Sequence, residues 1–139
     1  LLDVGGDDVG ATVLAALADP LSGKATRVLQ VINPNRPYTD SIEGCLRMRR
    51  EIEAKAKMAI NGIVGNANLM EETTAEDILA GYEFSRQVAV AGNIPLAFIT
   101  VPAHLLTRLD KKDIPCPVLP LYRQLVPPWK RAEAFGSTV

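Results

Sequence analysis

Apolar residues fall along the chain in two alternating regimes. Residues 1–4, 27–32, 62–65, 96–101 and 117–121 are short runs rich in Val, Ile and Leu, apolar on nearly successive positions, which is how strands covered on both faces read. Between them lie longer stretches whose apolar positions recur at helical spacing. Strands alternating with helices predict β-α-β units and a parallel sheet. The expected fold is α/β, a three-layer open sheet that is mainly parallel and occupies residues 1–121. An irregular tail containing Pro127 and Pro128 follows over 122–139.

Four helical segments are expected. The first covers residues 9–18 and stops at Asp19-Pro20, since proline has no backbone N–H to give the ladder. The second covers about 40–58, with Ile42, Cys45, Leu46, Arg49, Ile52, Ala56 and Ala59 near one face. Its other face carries Glu43/Arg47, Glu51/Lys55 and Glu53/Lys57 at i,i+4 spacing, a charge pattern that supports an exposed helix and needs no ligand. The third begins at Thr73 or Thr74, where Thr73 and Glu76 have capping-box spacing. It runs to Ala91 and can turn Ile78, Leu79, Tyr82 and Ala89 to the sheet. A short helix over 102–109 completes the set.

Composition narrows the function classes. At 139 residues, with 47% hydrophobic and 22% charged residues, the chain fits one globular domain able to bury roughly two-thirds of its unfolded surface. A net charge of -1 gives no electrostatic case for strong nucleic-acid binding. Cys45 and Cys116 lie far apart and there is one histidine, so metal-cluster and disulfide readings are both weak and a reducing, cytoplasmic setting is the default. No apolar stretch approaches the roughly 20 residues that span a bilayer. The chain opens on Leu1 inside a strand-like pattern and reads as beginning mid-fold.

The candidate chemistry starts in Leu1-Leu2-Asp3-Val4-Gly5-Gly6-Asp7-Asp8-Val9-Gly10-Ala11-Thr12. As a Walker A loop, G-x-x-x-x-G-K-[ST], it has Gly5, Gly10 and Thr12 but Ala11 in place of the lysine that meets the phosphates. As the loop after a buried strand ending in an acid, it is D-x-x-G at Asp3 and Gly6. The plain alternative is a glycine-rich turn, with Asp7 or Asp8 capping the next helix. Parallel sheets gather ligands at the carboxyl ends of their strands. Those ends carry Asn33-Pro34-Asn35-Arg36-Pro37, Asn66-Ala67-Asn68 and Pro102-Ala103-His104.

Taken in order, Leu2-Asp3-Val4-Gly5-Gly6, Val31-Ile32-Asn33-Pro34-Asn35, Gly62-Ile63-Val64-Gly65-Asn66 and Ile99-Thr100-Val101-Pro102 resemble four landmarks of the deviant-Walker P-loop ATPases, the group of ParA, MinD and the nitrogenase iron protein. The resemblance covers about a hundred residues and implies the second half of a P-loop NTPase-like domain. It implies ATP with Mg²⁺ as cofactor of the complete domain, bound only weakly by this segment alone because the phosphate cradle would lie upstream, and a homodimer or self-association. Asp3 would hold Mg²⁺, Gly6 would follow the γ-phosphate and Asp7 would lie near the attacking water. Asn66 would read adenine, with Pro102 bordering the base.

Two departures limit the transfer. Gly10 stands where the iron protein supplies a cluster cysteine, and no G-K-[ST] occurs, so the Walker A loop would belong upstream of Leu1. A non-catalytic α/β binding or assembly module is the alternative. His104 and Arg36 read as surface residues, and Tyr122 and Trp129 as fasteners of the tail.

Overall fold

A computed structural model describes residues 1–5, 8–22, 24–126 and 128–129. The helix α1 (Asp8–Leu21) leads to β1 (Leu29–Ile32), then α2 (Ile42–Ala56), β2 (Gly62–Gly65), α3 (Ala75–Ala91), β3 (Leu96–Pro102) and β4 (Val118–Leu121). Two 3-10 segments, Met70–Glu72 and Ala103–Arg108, sit after β2 and β3. Among the described residues the strands form one sheet in the order β1-β2-β3-β4, every pairing parallel. The fold is therefore α/β with a parallel open sheet flanked by helices, as the alternation of periods requires.

One expected strand is absent from this sheet. Residues 1–5 form no regular element, and Leu1 and Leu2 lie 126% and 60% exposed. An apolar run becomes a strand only when a neighbouring strand accepts its backbone hydrogen bonds. The pairings of β1 run to β2 alone, so residues 1–4 have no partner there.

Strand alternation sorts the sheet into two faces. Ile32, Ile63, Ile99 and Val101 turn to the helices and are at most 2% exposed. Ile32 and Ile63 pack with Cys45 of α2 and Val88 of α3. Ile99 and Val101 pack with Ile78 of α3, Leu105 and Ile114. Crossovers of one hand between consecutive strands put their helices on one face, and α2 and α3 do touch each other there. The opposite face carries the cross-strand row Val31, Val64 and Phe98. It is apolar too, the composition of strands that can be covered on both faces.

Small residues let α3 lie close on β2. A Cβ on Gly81 would collide with the Cβ of Ala67, and one on Gly65 would come 2.5 Å from Ser85 Oγ. Ser85 is fully buried and donates its hydroxyl to the Gly81 carbonyl at 2.7 Å, keeping its own oxygen satisfied. At the other end of the helices, Arg49 Nη1 donates to the Gly92 carbonyl at 2.9 Å while its Nε meets Glu53 Oε1 at 3.1 Å. The same Glu53 oxygen accepts the Ile60 N–H at 2.8 Å. Arg49 therefore belongs to the inner face of α2, as its spacing implied, because its fork ties α2 to the end of α3.

Element ends differ from expectation by one to three residues. Ser41 caps α2, accepting from Gly44 N. Thr74 and Asp77, one residue on from the expected pair, make the capping box of α3. Thr73 is buried instead in the preceding turn, accepting from Leu69 N at 2.8 Å and donating to the Met70 carbonyl at 2.9 Å. The helix α1 continues past Asp19 through Pro20 to Leu21, where a missing N–H costs only one bond of the final turn.

Candidate functional site

The carboxyl ends of β1, β2 and β3 bring together the loops that the sequence marks with asparagine. Register pairs Ile32 with Gly65 and Gly65 with Ile99. One step further along, Asn33 stands opposite Asn66, and Asn66 opposite Thr100. The Asn66 N–H continues the ladder, donating to the Ile32 carbonyl at 2.8 Å. By alternation these residues share the face of Val31, Val64 and Phe98. A polar row thus closes the apolar face at its carboxyl edge.

Hydrogen bonds hold that row. Thr100 Oγ1 lies 2.6 Å from Asn66 Oδ1 and 3.5 Å from the Gly65 carbonyl. Asn33 Nδ2 donates to the Asn68 carbonyl at 3.0 Å, and its Oδ1 accepts the Asn35 N–H at 2.9 Å. Thr39, buried, donates its hydroxyl to the Asn33 carbonyl at 2.7 Å. Asn68 Oδ1 accepts the Met70 N–H at 2.6 Å. Asparagine suits these turns because its amide serves nearby backbone in place of another peptide group. Strain also gathers in the two loops: Tyr38 and Met70 hold φ at 71° and 61°, and both are exposed. Non-glycine residues in this region cost energy and are frequent at functional sites.

The expected site residues are only partly gathered. Asn66 and Pro102 lie at adjacent strand ends, both half-buried, and Pro102 closes β3 opposite Leu121. Asp3 is exposed and belongs to no strand, so it does not stand at a strand's carboxyl end. Gly6 and Asp7 lie outside the described residues. Thr100 is the residue that motif reading passes over. It sits inside a strand, and only the register between β2 and β3 places it beside Asn66.

Other candidates lie elsewhere. His104 and Arg36 are exposed, as expected of surface residues. Trp129 is 81% exposed, and the tail beyond it lies outside the described residues. Arg123 instead ties the segment after β4 to the turn before α3, its Nη1 2.5 Å from Glu71 Oε1. Cys45 and Cys116 are free thiols. Burial, with a smaller contribution from Asp40, pushes the Cys45 thiol up from 9.0 to about 11, and burial likewise raises Cys116. Neither is an activated nucleophile. Among the described residues no three His, Cys, Asp or Glu side chains gather to hold a metal ion, and no helix is long and apolar enough to cross a membrane. A groove of about 660 Å³, lined by Leu106, Leu109, Ile114, Cys116 and Val118, opens at the amino end of β4, away from the asparagine row.

Comparison with family models, with curated proteins and with solved structures finds no match to this chain.

Proposed function

We propose that this chain is the switch II and base-binding half of a ParA/MinD-type ATPase, in which ATP with Mg²⁺ favours a dimer and hydrolysis to ADP and phosphate releases it. The observation that carries the reading is the row Asn33, Asn66 and Thr100 across the carboxyl ends of three adjacent parallel strands. Three of the four sequence landmarks meet there, at the edge where open α/β sheets take their ligands. A side-chain amide offers both donor and acceptor to a base edge, and the apolar row behind it gives a base a dry flank. Asp3 is the hard oxygen ligand the reading assigns to Mg²⁺, which takes one or two carboxylates and completes its shell with phosphate oxygens and water. The residues of the row bind and orient; the phosphate chemistry belongs to Asp3, Gly6 and Asp7. Two free thiols fit a cytoplasmic location.

A titration followed by backbone amide resonances tests the assignment. Mg-ATP should perturb residues 33–35, 66–68 and 100–104 together, and Asn66→Ala should weaken binding about tenfold, the cost of one lost base contact. Perturbation confined to other residues removes the nucleotide assignment. A second reading, a non-catalytic assembly module, draws on the apolar second face, where Val31 is 58% and Leu119 48% exposed. It expects association of the chain in sedimentation runs that ATP does not alter.

A further inference from the structure

We propose that Thr100 is a positioning residue for base recognition, its hydroxyl fixing which way round the Asn66 amide presents oxygen and nitrogen. The proposal rests on the nucleotide reading above and adds a specificity device to it. The 2.6 Å separation of Thr100 Oγ1 from Asn66 Oδ1 suits O–H···O and is short for N–H···O. The hydroxyl therefore donates and the amide oxygen accepts. Turning the amide over would set Nδ2 against Thr100 Oγ1 and leave the hydroxyl proton only the Gly65 carbonyl, at 3.5 Å, the far limit of a hydrogen bond.

Held this way, Asn66 keeps a second lone pair on Oδ1 and two N–H groups on Nδ2, in a fixed order. Adenine offers the complementary order on its Watson–Crick edge, an acceptor at N1 beside the amine at position 6. Hypoxanthine reverses that order, with an N–H at N1 and a carbonyl at position 6. It would set a donor against Nδ2 and an acceptor against Oδ1, and a fixed amide cannot turn to relieve the mismatch. An amide free to rotate can present Nδ2 to the carbonyl and Oδ1 to the N1–H instead, so releasing Asn66 erodes the distinction between the two bases. Thr100 contributes through Asn66 and touches no base itself.

Adenosine and inosine probe this without phosphate. In titrations of the 139-residue chain followed by the Asn66 side-chain amide resonances, adenosine should bind about tenfold more tightly than inosine. Thr100→Val keeps the β-branched shape and removes the donor; the ratio should fall to about twofold or less. Thr100→Ser restores the hydroxyl and should restore the ratio. Thr100→Ala carries the same expectation should the valine variant fail to fold. A ratio unchanged in Thr100→Val, even with both affinities lower, overturns the positioning role and leaves the nucleotide reading standing. Binding of neither nucleoside to the unaltered chain overturns both.

Discussion

Single residues decide how closely the layers of this protein approach. Gly81 lies in mid-helix, where alanine is intrinsically better by about 1 kcal/mol. Its absent side chain is what admits Ala67, whose Cβ would occupy the same space as an added one. Ala67 is buried and has no flexible end to move aside. Gly81→Ala should therefore destabilise the protein by ~1–3 kcal/mol despite the propensity gain, read as a lower urea midpoint; a raised midpoint would show that α3 lifts from the sheet freely. The thiols give a second expectation. A neutral-pH alkylating reagent should modify half-buried Cys116 well before Cys45, which is fully buried and has its thiol pushed to about 11. Because that folded value exceeds the ordinary 9.0, Cys45 deprotonates first in the unfolded chain. Its contribution to stability is thus complete below pH 9.0 and is lost as pH rises to about 11. Cys45→Ala should flatten that part of the stability–pH curve.

At the scale of elements, the start of α3 shows how far sequence pattern reaches. Thr73 with Glu76 and Thr74 with Asp77 both satisfy capping-box spacing. Spacing cannot choose, because the choice depends on what the turn before the helix demands. The Met70–Glu72 turn needs a hydroxyl at Thr73 to serve Leu69 N and the Met70 carbonyl, and that leaves the cap to Thr74. Thr74→Ala should cost ~1 kcal/mol of stability as an ordinary lost cap, measured by urea unfolding. The Asp77 carboxyl is held below its ordinary value of 3.8, first by the Thr74 N–H and then by the Thr74 hydroxyl. A depressed carboxylate lends its stability above the unfolded value and loses it as pH falls through the lower folded one. The gap between Thr74→Ala and the unaltered protein should accordingly narrow below about pH 4.

Across the whole molecule, register decides which of two chemically similar residues is buried. Val31 and Val64 are cross-strand neighbours on the same face, yet one is 58% exposed and the other 3%. The outer strand β1 leaves Val31 at the margin, whereas β2 lies between two strands. Val31→Lys should leave the urea midpoint within ~0.5 kcal/mol of the unaltered protein. Val64→Lys should cost more than ~3 kcal/mol, since it takes an unpaired charge out of water. Equal effects at the two sites would mean that β1 does not hold the sheet's margin. Residues 1–4 make the same point from the other side. Three of these four residues are apolar, as in a strand, but a pattern supplies only the side chains of a strand, and the partner's backbone must supply the rest.

By itself, the sequence determined the alternation of short apolar runs with helical periods, and hence an α/β chain with a parallel sheet and asparagine-rich loops after its strands. These are properties of neighbouring residues, and local periodicity records them. Tertiary structure alone decided that residues 1–4 stay outside the sheet, that Asp3 is exposed, that Thr73 serves a turn while Thr74 caps a helix, and that Thr100 meets Asn66 across two strands. Each of these depends on groups distant in the chain competing for the same backbone partner or the same space, and that competition is settled only when the strands take their register.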